Sequence, residues 1–225
     1  MRPWSKKVEA LYLKALTLED KGDLRGAQRG FLALARTGEP TAQHALAHLL
    51  ADKIKPARWD EARRWYKRAV KNGNPLSAWN LAIDYGNRKQ PHWQKYWLQT
   101  YARMDKASAR EESADWGNRL IARKRHLDAL PYLELAARLG DVSAQNDCAI
   151  ILETKVKPPR VREALIWYRK AVKRGSKEAA HNLSLHYRDG DDAAHRLQWL
   201  RIAAKTGHSE AKTELHQLER ARRRV

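Results

Sequence analysis

The chain is short of most of what would give it covalent bracing, a membrane span or an active site. It has one cysteine, Cys148, in 225 residues. That excludes a disulfide framework or a multi-cysteine metal centre, and leaves Cys148 to be read as a buried apolar residue in a reducing setting. No apolar run approaches the roughly 18 residues of a membrane span. Residues 1–36 are charged and amphipathic, without the apolar core of roughly 7–15 residues that a secretory signal needs. A cytoplasmic protein with no membrane insertion is expected. No Pro/Gly/Ser-rich linker interrupts the sequence, so one domain over 1–225 is expected. There is no Gly-rich phosphate loop, no Gly-x-Ser-x-Gly elbow and no metal-ligand spacing of cysteines. No enzyme, cofactor or metal is therefore expected. His44 and His48 are spaced i, i+4, but no third ligand accompanies them, and they read as solvent-exposed. Asp191 and Asp192 beside Gly190 read as turn residues. Acidic residues are also scarce: 26 Asp+Glu stand against 45 Lys+Arg, for a formal net charge of +19 and an isoelectric point near 10.2.

What is present is a repeat. Residues 56–85, PARWDEARRWYKRAVKNGNPLSAWNLAIDY, return 102 residues later as 158–187, PPRVREALIWYRKAVKRGSKEAAHNLSLHY. Glu61, Ala62, Trp65, Tyr66, Ala69, Val70, Lys71, Gly73, Ala78, Asn80, Leu81 and Tyr85 all recur in register. Ala62, Trp65, Tyr66, Ala69 and Val70 form one helical stripe at i, i+3, i+4, i+7 and i+8. Gly73 stands where a left-handed cap would end that helix. Ala78, Leu81, Ala82 and Tyr85 form a second stripe. The unit is helix, tight turn, helix.

The turn position recurs as Gly38, Gly73, Asp105, Gly140, Gly175 and Gly207, at intervals of 35, 32, 35, 35 and 32. The repeated pattern 35, 32 implies that a three-unit block was duplicated whole. Four residues after each turn comes a small residue: Ala42, Ser77, Ala109, Ala144, Ala179 and Ala211. Such residues let two helices approach closely. Trp65, Trp97, Tyr132, Trp167 and Trp199 share one position in the first helix, where a large ring fills the gap between adjacent pairs. Residues 91–125 are the least regular.

The sequence resembles the Sel-one-like repeat family, relatives of the tetratricopeptide repeats. The resemblance rests on Ala62-x-x-Trp65-Tyr66-x-x-Ala69-Val70-x-x-Gly73 and on Ala179-x-x-Asn182-Leu183-x-x-x-Tyr187, and covers roughly residues 25–218. It departs from the family in the loops 53–62 and 155–164, where Arg58 and Arg160 stand in place of an aspartate, and at Asp105. The resemblance implies an all-α, right-handed α/α superhelical solenoid of about six helix-turn-helix repeats. It implies a non-catalytic adaptor for a protein partner, some relatives being immunity proteins that bind a toxin. It further implies a concave groove lined by the second helix of each unit. His44, Trp79, Asn146 and His181 fall on the groove-facing position. His48, Asn80, Asn182 and Arg188 fall near it, as does Arg220. Trp79 beside His and Asn has the composition of a binding hot spot.

The charge is clustered as well. Arg63, Arg64, Lys67, Arg68 and Lys71 occupy the helix face opposite Trp65. Arg169, Lys170, Lys173 and Arg174 do so in the duplicate. Such a surface attracts an acidic protein or a phosphate backbone. The binding partner is expected to be an acidic protein. The alternative is nucleic acid on the basic helices, with Trp59 and Trp93 as stacking rings. The chain ends in a basic tail at 219–225.

Overall fold

The structure, a computed structural model, describes residues 5–190 and 192–222. Trp4, Asp191 and residues 223–225 of the basic tail lie outside them. The described residues form helices and connections, with no strand. In order the helices are α1 (Lys6–Asp20), α2 (Leu24–Arg36), α3 (Pro40–His48, continued by a π-helical turn over Leu49–Lys53) and α4 (Trp59–Lys71). Next come α5 (Pro75–Asn87), α6 (Pro91–Met104), α7 (Lys106–Ala122), α8 (His126–Arg138) and α9 (Val142–Thr154). The last are α10 (Val161–Lys173), α11 (Lys177–Asp189), α12 (Ala193–Lys205) and α13 (Ser209–Arg222).

Helices α2, α4, α8, α10 and α12 end for a reason that the sequence carries. Gly38, Gly73, Gly140, Gly175 and Gly207 all adopt φ between +92° and +100°. A side chain is strained there, and glycine is not. At Gly73 the chain doubles back through hydrogen bonds from Gly73 N–H to the Val70 carbonyl (3.0 Å) and from Asn74 N–H to the Ala69 carbonyl (2.9 Å). The next helix then starts on a side-chain cap. Asn74 accepts from Ser77 N–H at 2.9 Å, Asp141 from Ala144 N–H at 2.8 Å and Ser176 from Ala179 N–H at 3.1 Å. These caps satisfy backbone donors that the first helical turn leaves open. Asp192 plays the same part for α12 by accepting from His195 N–H.

Asp105 breaks the pattern in its geometry too. It is extended, with φ −146°, and α7 begins at the next residue. At this point the chain divides into two compact units, one ending at Lys106 and the other starting at Ala107. Within the first unit, α1 to α6 each pack on their neighbours in the chain. In the second, α8 to α13 do the same. There α7 meets α8 where Gly117 leaves room for Leu133.

The duplication shows in the backbone. The loops before α4 and α10 each contain a cis X-Pro bond, at Lys55–Pro56 and Lys157–Pro158. Arg58 N–H reaches the Leu50 carbonyl at 2.8 Å, and Arg160 N–H reaches the Leu152 carbonyl at 2.9 Å. Arg58 pairs with Glu61 and Arg160 with Glu163. The arginines that depart from the family pattern are thus ion-pair partners of the following helix in both copies.

The small residues after the turns are all buried, as are Trp65, Trp97, Tyr132 and Trp167. Leu81 and Leu183 are fully buried at equivalent positions. Each such leucine contributes about 1.5–3 kcal/mol through burial. Cys148 is buried, and loss of solvent pushes its thiol pKa up, which makes it a packing residue and not a nucleophile.

Candidate functional site

The positions expected to line a groove are more engaged with the protein than their sequence frame implied. In the first unit, His44 was expected to be exposed. It is partly buried, with its ring 5.6 Å from that of Tyr66. Its Nδ1 lies 2.9 Å from Ser77 Oγ, and the Ser77 hydroxyl lies 3.1 Å from Asn74 Oδ1. The imidazole N–H therefore donates to serine, which donates to asparagine. Burial, with His48 nearby, lowers the His44 pKa to about 4. The side chain of His48 is 41% exposed and pairs with Asp52 at 3.2 Å. Asn80 donates to the Tyr66 hydroxyl at 3.2 Å. Trp79 is half-buried, its ring 5.6 Å from that of Tyr101. The helix that follows α5 supplies Tyr101, so Trp79 has a packing role that the sequence did not reveal.

The second unit has a different polar network. Asn182 donates to Asn146 Oδ1 at 2.9 Å, tying two groove positions to one another. Tyr168 O–H donates to Glu153 Oε2 at 3.1 Å, and His186 Nδ1 lies 2.6 Å from Glu153 Oε1. His181 stacks on His208, with ring centroids 4.2 Å apart and 27° between planes. Burial, together with His208, lowers the His181 pKa. His181 and Arg188 line an open cleft of about 600 Å³ with Glu210, Thr213 and Glu214. Arg196 pairs with Glu214.

The basic surface needs one correction. Arg63 is not on it. Its side chain is only 11% exposed, and it bonds Asp84 Oδ2 at 3.0 Å and also Asp60. Asp84, whose side chain is 6% exposed, accepts a second bond from Arg88. A charge this deep needs its partner. The duplicate has Leu165 and His186 at these two places. No signal in the sequence marks Arg63 and Asp84 as a pair, since many other positions also differ between the copies.

The other eight basic residues are exposed: Arg64, Lys67, Arg68 and Lys71 on α4, and Arg169, Lys170, Lys173 and Arg174 on or beside α10. Four of them contact neutral groups. Arg68 lies 4.8 Å from the centre of the Trp65 ring, and Lys170 lies 4.3 Å from that of Trp167. Arg169 donates to the Tyr187 hydroxyl and Arg174 to the Gly140 carbonyl. Among the described residues none of the eight forms an ion pair with a carboxylate. Arginines elsewhere are neutralised locally, as at Arg58, Arg63, Arg119, Arg125, Arg138, Arg160 and Arg196. Exposed cations without a carboxylate partner thus recur on α4 and α10, Lys67, Arg68 and Lys71 matching Arg169, Lys170 and Lys173, and they occur elsewhere too, as at Arg36, Lys95 and Arg110.

No family model matches the sequence. No curated protein matches it either. Solved structures do. A Sel1 repeat protein from Oxalobacter formigenes matches with a TM-score of 0.44 and 21% identity, over 94% of this chain and 65% of that one. A protective antigen of uropathogenic Escherichia coli with an SLR fold matches with a TM-score of 0.43 and 20% identity, over 88% of this chain and 44% of that one. An immunity protein from Pseudomonas aeruginosa matches with a TM-score of 0.40 and 17% identity, over 93% of this chain and 85% of that one. The chain thus spans less than two thirds of the first two, and at these scores none of the three bears on function. The chain's own geometry defines its architecture: helix pairs joined at left-handed glycines, small residues where the helices meet, and a buried aromatic in the first helix. That is an all-α fold of helix-turn-helix repeats. Among the described residues no helix is long and apolar enough to cross a membrane.

Proposed function

We propose that this helical-repeat chain is a non-catalytic interaction scaffold, and that the exposed basic faces of α4 and α10 bind an acidic protein partner. The observation that carries the reading is the clustering of exposed cations on two duplicated helices. Eight exposed cations on or beside α4 and α10 lack carboxylate partners among the described residues, and three of the four on each helix stand at matching positions. A positive field left open in this way speeds encounter with a negative surface and selects against positive ones. Groove positions support the reading less directly. His44, Asn80, Asn146 and Asn182 spend their polar groups on internal bonds. His48, Trp79 and Arg188 keep accessible surface and belong to the proposed contact. Neutralising a toxin by binding it is one form this function takes.

Nucleic acid is the second reading, because the same cations would meet phosphates. The observation in its favour is Trp93, 46% exposed on α6 beside Tyr96, which is 44% exposed. These rings lie 5.8 Å apart. Against it, Trp65 and Trp167 are buried under their cations and offer no face for a base to stack on.

Capture from a native lysate with the purified chain, with and without nuclease, separates the two. The scaffold reading predicts an acidic protein that stays bound after nuclease and leaves as salt rises. Capture of nucleic acid alone, lost entirely on nuclease treatment, overturns it.

A further inference from the structure

Three side chains in the second unit converge on one point. His181, from α11, and His208 and Glu210, at the start of α13, bring ligand atoms within 4.8 Å of one another. We propose that they form a binding site for a divalent transition-metal ion of the zinc class. Two imidazoles and one carboxylate are the ligand set that such ions prefer, and three protein ligands leave a coordination position open.

The placement of His208 is the strongest argument. It follows the turn glycine, at the position where α5, α9 and α11 have Asn74, Asp141 and Ser176 and α3 has Glu39, which makes no side-chain cap. Asn74, Asp141 and Ser176 cap their helices with oxygen at 2.8–3.1 Å. His208 caps α13 only through Nδ1, at 3.3 Å from Ala211 N–H. An imidazole is a poor substitute for an oxygen cap, so helix capping does not account for a histidine here. His181 reaches it from the next helix pair back, ring on ring at 4.2 Å. Two neutral imidazoles gain little from parallel stacking, whereas a shared cation would hold both nitrogens. Glu210 is exposed at the mouth of the cleft. Glu214 lies 3.9 Å from His181 Nε2 and is held by Arg196, which places a second carboxylate just outside the trio. Metal bound through His208 Nε2 moves the ring proton to Nδ1 and so replaces the long cap to Ala211. The start of α13 would then be secured by the ion.

The test is calorimetric titration of the untagged chain with Zn²⁺, with Co²⁺ as a spectroscopic probe of geometry. One equivalent is expected to bind, with intense visible bands for the Co²⁺ form. His208→Ser restores an oxygen cap of the kind Ser176 provides, so the variant folds while losing a ligand. It is expected to weaken binding about a hundredfold, and His181→Asn likewise. His126→Ala leaves binding unchanged. Absence of saturable binding to the unmodified chain overturns the proposal. So does equal affinity in the unmodified chain and a folded His208→Ser variant. Failure of this site leaves the basic-face reading untouched, since the two share no residue.

Discussion

At the scale of single residues, the polar groups that look like ligands in the sequence are mostly structural. His44 gives the clearest consequence. Its folded pKa of about 4 lies below the ordinary value of 6.5. Between those values the unfolded chain takes up a proton that the folded chain refuses. The contribution to stability is therefore complete above about pH 6.5 and is lost as pH falls toward 4, at most on the order of 3 kcal/mol. His44→Gln retains a donor for Ser77 and cannot titrate. Thermal melts from pH 7 to pH 4 are expected to show a smaller fall in Tm for this variant than for the unmodified chain, and parallel falls would contradict the assignment. Arg63 makes the second residue-level prediction. Arg63→Leu installs the residue that the duplicate carries at Leu165, but strands Asp84 with Arg88 alone. Removing one partner of a buried pair costs about 3 kcal/mol. Arg63→Leu combined with Asp84→Leu is expected to recover much of that loss in denaturant titration. Additive losses would show that the pair is not coupled.

At the scale of helices and turns, the geometry rests on left-handed glycines. Gly73 has φ +99° and nothing within 4 Å of an added Cβ, so Gly73→Ala tests backbone conformation alone. It is expected to cost about 1–2 kcal/mol. Gly190 has φ −87°, and its added Cβ would make only ordinary contact with the His186 carbonyl at 3.5 Å. Gly190→Ala is expected to be neutral within about 0.5 kcal/mol. Equal losses at both sites in chemical unfolding would mean that turn conformation is not what the recurring glycines secure. This level was the most legible in the sequence. Helix faces, turn glycines and small residues repeat at fixed intervals, and periodicity reports directly on local geometry. The break at Asp105 was legible too, as a missing glycine. Pairings across the turns were not. Asn182 meets Asn146 from 36 residues away, and His181 meets His208 from 27. No local pattern encodes which side chains the stacking of helix pairs brings together. Charge pairing was hidden for the same reason: Arg63 and Arg64 are neighbours in sequence, yet one is buried against Asp84 and the other faces solvent.

At the scale of the whole molecule, the controlling quantity is the excess of 45 basic over 26 acidic side chains. Local pairing absorbs some arginines, such as Arg58, Arg119, Arg125 and Arg160. Among the exposed cations left without a carboxylate, Lys67, Arg68 and Lys71 on α4 match Arg169, Lys170 and Lys173 on α10 in the duplicated block. Repetition of the fold has thus repeated a charged face, giving each unit its own copy. The most direct test is the binding kinetics of the captured acidic partner, measured against the unmodified chain and against a variant combining Arg64→Glu, Lys67→Glu, Lys71→Glu and Lys173→Glu. These four side chains make no ion pair in the structure, so the variant is expected to melt like the original. Association at low salt is expected to slow at least about tenfold, with the salt dependence of the remaining rate much reduced. Unchanged association by a fully folded variant would contradict the account and place the partner elsewhere on the surface.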